Sequence, residues 1–74
     1  MPDIEVKSEV TGSVWKIQVA KGDEVEEEDE LIILESMKME IPVEAPVDGV
    51  VKDILVKEGQ QIETDQLLVI IEEE

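Results

Sequence analysis

Residues 35–40 read Glu-Ser-Met-Lys-Met-Glu. The stretch sets one primary amine, Lys38, between two thioethers, Met37 and Met39, near the midpoint of a 74-residue chain that holds three methionines. An alkyl amine with an ordinary pKa of ~10.4 is protonated and weakly nucleophilic at neutral pH, so acylation of Lys38 needs a second enzyme that brings an activated acyl group, a base and a dry pocket. Met37 and Met39 read either as gap-fillers, the usual role of methionine in cores, or as side chains exposed at a turn for a partner to recognise. Glu35 and Glu40 read as a cross-strand pair beside the turn and not as acid/base catalysts, because carboxylates without a pocket have no raised pKa to use.

Little else in the chain could do chemistry. Histidine and cysteine are absent and Trp15 is the single aromatic residue. That removes the usual base at neutral pH, the thiol nucleophile and the strongest zinc ligands. A chain this short approaches the lower limit for a self-supporting core, ~3–5 kcal/mol net, and leaves no room for a catalytic cleft beside the fold. It is therefore expected not to be an enzyme, and no metal is assigned. Calcium ligation by Glu26, Glu28 and Glu30 is disfavoured by the lack of an EF-hand's glycine and spaced aspartates. The run Asp23–Glu30 reads instead as a solvated connection with Val25 pinned into the core, and residues 60–66 as its equivalent with Ile62.

A formal charge of −15 repels phosphate backbones and anionic lipid, so neither nucleic acid nor membrane is an expected partner. No apolar run approaches the ~20 residues of a membrane span, and Met1-Pro2-Asp3 does not open a signal peptide, which makes a cytoplasmic location the expectation.

The elements that must position Lys38 come from a repeat. Laid on itself with an offset of 37 residues and no gap, the chain shows twelve identities between Ile4 and Glu35, and its four glycines pair as Gly12/Gly49 and Gly22/Gly59. One domain, 1–74, is expected to contain the two copies 1–37 and 38–74. Alternating or β-branched apolar runs such as "SVWKIQV", "LIIL", "VVKDILV" and "LLVII" predict strands, with the glycines at bends supplying positive φ. Lys16 is expected to point outward by strand alternation, and Trp15 to lie at the surface. The fold expected is all-β, a flattened barrel or sandwich of two pseudo-two-fold-related four-stranded halves. The offset makes Lys38 equivalent to Met1, so the junction hairpin should lie at one end of the molecule and the termini at the other.

Only Ser36–Met39 separate "LIILE" from "EIPVEAPV", which predicts a tight hairpin around Met37-Lys38. Two-residue hairpin turns favour Asn-Gly or Asp-Gly because both central residues take φ > 0. Met-Lys is a strained choice there, and a local rule broken at one point marks function.

The stretch "ESMKMEIPVEAPVDGVV", residues 35–51, resembles the attachment motif of biotinyl domains, in which A/S-M-K-M precedes an apolar segment and A-P-x-x-G. The resemblance covers essentially the whole chain and is strongest to small stand-alone biotin/lipoyl attachment proteins. It implies a barrel-sandwich hybrid, biotin covalently attached to Lys38, and recognition of Met37 and Met39 by biotin protein ligase. It further implies a carrier that takes CO2 from a biotin carboxylase to a carboxyltransferase. The gapless repeat leaves no room for the thumb insertion of some carriers, and Glu9 stands where many relatives have proline. Two other functions stay open: a lipoyl carrier modified on the same lysine, although lipoyl domains carry Asp-Lys-Ala at the tip, and an unmodified docking module.

Overall fold

A computed structural model describes residues 2–74. Eight strands follow in the order β1 (Asp3–Lys7), β2 (Gly12–Ile17), β3 (Glu24–Val25), β4 (Glu30–Ser36), β5 (Met39–Glu44), β6 (Gly49–Ile54), β7 (Gln61–Ile62) and β8 (Leu67–Glu73), with no helix among the described residues. Each of β1–β4 has its counterpart 37 residues later, to within one residue at the ends. The same apolar spacing therefore builds the same strand twice.

All pairings are antiparallel, and they form two four-stranded sheets that do not close into a barrel, β1-β8-β6-β3 and β5-β4-β2-β7. The two sheets are not the two copies of the repeat. Each takes two strands from either copy, so the halves interlock. Turns cross between them as well: Gly59 N–H donates to the Val14 carbonyl at 2.7 Å, and Gly22 N–H to the Val51 carbonyl at 2.8 Å.

Valine, leucine and isoleucine from both sheets fill the space between them, with Val14, Leu31, Ile32 and Leu34 facing Val51, Leu68, Val69 and Ile71, all essentially fully buried. Val25 and Ile62, on the two-residue strands, are buried as expected and anchor otherwise polar connections. In a flat strand, adjacent residues point to opposite faces, so Leu31-Ile32 and Leu68-Val69 could not both be buried. A register shift at Leu31 and another at Leu68 leave these residues as the extra members of β-bulges, which turns both neighbours inward.

A second pair of bulges corrects the simple alternation expected of β2. Trp15 is the extra residue between Val14 and Lys16, and Lys52 holds the same place in β6. Trp15 is 44% exposed and Lys16 is exposed too, its Nζ lying 5.0 Å from the indole centroid. Lys16 does point outward, but the bulge sends it there.

The glycines divide into two kinds. Gly22 and Gly59 have φ of 95° and 86°, as expected at bends. Gly12 and Gly49 open β2 and β6 without positive φ. Their requirement is close approach, since a Cβ on Gly12 would strike the Glu35 carbonyl oxygen and one on Gly49 that of Glu72.

Asp23 and Asp29 accept hydrogen bonds from the Ala20 and Glu26 amides at 2.8 and 2.9 Å, bracing turns. Gln60 and Gln66 do the same for Lys57 and Glu63 in the second copy. A neutral amide braces the turn of the second copy as a carboxylate braces that of the first. No group of three or more ligating side chains is assembled for a metal ion among the described residues.

The connection between β2 and β3 holds six residues, 18–23, and no thumb protrudes from the described chain. β4 runs from the Glu26–Asp29 turn to the Met37–Lys38 turn, roughly 20 Å for its length. The first turn lies beside Asp48, which accepts from Glu27 N–H at 2.7 Å and whose carbonyl accepts from Glu74 N–H at 3.2 Å. The C-terminus and the hairpin thus occupy opposite ends of β4, in a molecule 35 Å long and 17 Å across. Pro2 joins the C-terminal end by accepting from Glu73 N–H at 2.9 Å, while the equivalence of Lys38 with Met1 lies outside the described residues.

Candidate functional site

The hairpin between β4 and β5 keeps antiparallel register up to its tip. Leu34 pairs with Ile41, Glu35 with Glu40 and Ser36 with Met39, which leaves Met37 and Lys38 as a two-residue turn. Their φ values are 53° and 64°, both in the left-handed region required of a type I′ hairpin turn. The expected turn is present with the expected residues. It carries strain that Asn-Gly would avoid.

All three residues singled out in the sequence meet at this tip. Met37 is 91% exposed, Met39 is 64% exposed and Lys38 is exposed. Two methionine side chains so open to water contribute nothing to the core. Among the described residues Lys38 makes no ion pair, since the two pairs present are Lys7–Glu5 and Lys52–Asp3. Its side chain stands at the exposed end of the β4–β5 hairpin.

Glu35 and Glu40 form the cross-strand pair read from the sequence. Both are exposed, and like charges directly opposite one another oppose strand pairing slightly. Glu35 also borders the open groove beside the tip.

The base of the hairpin holds residues that the motif did not reveal. Ser36 Oγ donates to the Thr11 carbonyl at 2.8 Å. The Thr11 hydroxyl lies 3.2 Å from that of Thr64 and accepts from Thr64 N–H at 3.4 Å. Gly12 lets β2 lie directly under Glu35. An open groove of about 550 Å³ runs beside the tip, bordered by Thr11, Gly12, Ser36, Lys38, Ile62 and Gln66. Departures from the repeat could have pointed here: Thr11, Ser36 and Thr64 stand where the other copy has Asp48, Glu73 and Glu27. Hydroxyls replace carboxylates at the end that bears Lys38.

Glu9, which stands in place of a proline, is compensated nearby. Buried Ser8 donates from Oγ to the Val10 carbonyl at 2.6 Å and accepts from Val10 N–H at 3.2 Å. This side-chain turn stiffens the segment that Ala45-Pro46 stiffens in the other copy.

The fold of this chain recurs in known proteins, and part of its sequence does too. The chain is 50% identical over 38 residues to a biotin/lipoyl attachment protein of Bacillus subtilis, covering 51% of this chain and 52% of that one. It is 51% identical over 39 residues to a biotinylated protein TB7.3 homolog of Mycolicibacterium smegmatis, covering 53% and 55%. The chain thus spans about half the length of the curated relatives it matches. Among solved structures it superposes on urea carboxylase of Kluyveromyces lactis with a TM-score of 0.91 and 41% identity, over 96% of this chain and 6% of that one. It shares its fold with part of a single-chain, multi-domain long-chain acyl-CoA carboxylase, with a TM-score of 0.92 and 24% identity over 97% of this chain and 7% of the enzyme. The profile of the biotin/lipoyl family, described as biotin-requiring enzyme, matches residues 1–71, and the chain belongs to that family.

Proposed function

We propose that Lys38 is the biotin attachment residue of a carboxyl carrier domain formed by residues 1–74. The observation that carries this reading is the exposed amine on a strained two-residue turn, between two methionines that the fold does not use. The residues fit the group. Biotin needs one accessible amine for its carboxyl carbon, clear of ion pairing and far enough from the body of the domain for a second enzyme to enclose it.

The domain's own contribution is presentation. Biotin protein ligase provides the acyl-adenylate and the base: the Lys38 ammonium gives up a proton, its Nζ attacks the acyl carbon, and the C–N bond forms as the C–O bond to the adenylate phosphate breaks, AMP leaving with the electron pair and a second proton passing from nitrogen to base. Met37 and Met39 are read by the ligase as apolar contacts on either side of the reacting amine. The type I′ turn fixes the direction of Lys38, which shortens the search for a reactive geometry.

When bound, biotin supplies a ureido nitrogen that accepts CO2 and later gives it up. Lys38 and its four-carbon stem tether that chemistry to the sandwich, and the hairpin holds the tether away from the core. The domain then raises the effective concentration of the carried group at a biotin carboxylase and at a carboxyltransferase in turn. The name of the urea carboxylase supports this class of partner.

A lipoyl carrier modified on the same lysine is the second reading, favoured by the joint biotin/lipoyl name of the Bacillus subtilis relative. The intact mass of the protein purified from its native cells separates them. A biotinyl increment is expected. A lipoyl increment establishes the second reading, and an unmodified mass overturns both.

A further inference from the structure

We propose that Met37 and Met39 form a reversible oxidation site, at which a hydroperoxide converts the thioethers to sulfoxides and shuts Lys38 off from the ligase. The inference rests on the reading that a ligase encloses this tip. It adds a control that the attachment chemistry does not require.

Both sulfurs sit where oxidant can reach them. Met37 is 91% exposed and Met39 is 64% exposed, and the chain has no cysteine to react first. A core methionine is shielded, and its oxidation disrupts packing. Here the opposite holds. The type I′ turn, with φ of 53° at Met37, and the Ser36–Met39 pair hold the two residues away from the buried cluster. Oxidation therefore leaves the sandwich untouched and changes only the surface offered to a partner.

The step balances. A sulfur lone pair attacks one oxygen of the peroxide, an S–O bond forms as the O–O bond breaks, and the departing oxygen takes the electron pair and a proton to leave as water or an alcohol. Sulfur loses two electrons and the peroxide gains them. A thiol-dependent sulfoxide reductase reverses the change, returning the thioether and releasing water while two thiols become a disulfide.

The consequence follows from what a recognition surface must do. A thioether enters an apolar pocket at almost no desolvation cost, whereas a sulfoxide carries a strong hydrogen-bond acceptor that stays unpaired there. Two such groups flank the reacting amine. The ligase should discriminate against the oxidised tip by about tenfold or more.

The test uses the whole chain and hydrogen peroxide. Protein is oxidised for increasing times, methionine sulfoxide is assigned by peptide mapping as increments of about 16 Da, and ligase kcat/KM and the thermal midpoint are measured on each sample. The expected result is a loss of kcat/KM that tracks sulfoxide at Met37 and Met39, with an unchanged melt and recovery after treatment with methionine sulfoxide reductases. A rate within twofold of the starting protein at full conversion of both residues overturns the proposal. So does a loss that tracks oxidation of Met1 or Trp15, or a failure of both tip residues to oxidise while free methionine in the same solution is consumed. If the untreated protein is not biotinylated at all, the attachment reading fails and takes this proposal with it; loss of the oxidation effect alone leaves that reading standing.

Discussion

Gly12 lies so close beneath the Glu35 carbonyl that no side chain fits between them. A Cβ at Gly12 would strike that oxygen and come within 3.1 Å of Ser36 Cβ. β2 therefore supports the hairpin at its base, through Ser13 paired with Glu35 and Ser36 Oγ bonded to the Thr11 carbonyl. Gly49 stands in the same relation to Glu72 at the other end, with Ile71 Cγ2 at 2.8 Å from its missing Cβ.

This relationship separates stability from presentation. Gly12→Ala and Gly49→Ala should each destabilise by about 1–3 kcal/mol through overpacking against rigid backbone. Only Gly12→Ala should also displace Glu35 and Ser36 and lower ligase kcat/KM measured on folded protein. Urea melts and ligase kinetics below both transitions check this. Equal kinetics for the two variants would show that the base of the hairpin does not position Lys38.

The tip should trade stability for function. Replacing Met37-Lys38 by Asn-Gly relieves two left-handed residues and is expected to stabilise the protein by about 1–2 kcal/mol, while removing the acceptor amine. A higher urea midpoint with unchanged slope is the signature. A lower midpoint would mean that the methionine and lysine stabilise the turn by contacts other than those described.

Exchanging Lys38 and Met39 moves the amine from the turn to the first paired position of β5, opposite Ser36. Stability should stay within about 0.5 kcal/mol, as for other surface changes. Ligase kcat/KM should nearly vanish, because the amine is re-aimed and shifted by several Å, whereas reaction needs approach to roughly 3–3.5 Å. A loss under tenfold would identify the tip as a flexible tether.

The two-fold plan, the hairpin and the three residues exposed at its tip were legible because each leaves a pattern in the chain: identities at one offset, four residues between two apolar runs, a lysine between methionines. The bulges at Trp15, Leu31, Lys52 and Leu68 were not, because a bulge adds one residue to an alternating run without changing its composition. The mixing of copies within each sheet was hidden as well. A repeat reveals which strands are equivalent and says nothing of which ones pair. Gly12 and Gly49 look like bend residues in sequence, and only the neighbouring strand's carbonyl shows that contact distance selects them.

Lys52 supplies a test of the other face. Its Nζ lies 2.7 Å from Asp3 Oδ2, spanning β8, and this hydrogen bond, then the charge of Asp3, and to a lesser extent that of Glu72, raise its pKa above 10.5. A raised folded value means that the stabilisation is fully present below the unfolded value of ~10.4 and is lost as pH climbs through the folded value. Lys52→Met should melt slightly below the parent at pH 9, the gap being small because the pair is exposed, and the gap should close at pH above the folded value. A gap that widens in strong alkali would contradict the assignment.

One amine among six, that of Lys38, is proposed as the acceptor. Incubating the purified chain with biotin protein ligase, biotin and ATP, and mapping the product by peptide mass spectrometry beside Lys38→Arg, addresses it directly. A single biotinyl group is expected on Lys38 and none on the arginine variant, whose melt matches the parent's. Biotin on Lys7, Lys16, Lys21, Lys52 or Lys57, or undiminished labelling of Lys38→Arg, would contradict it.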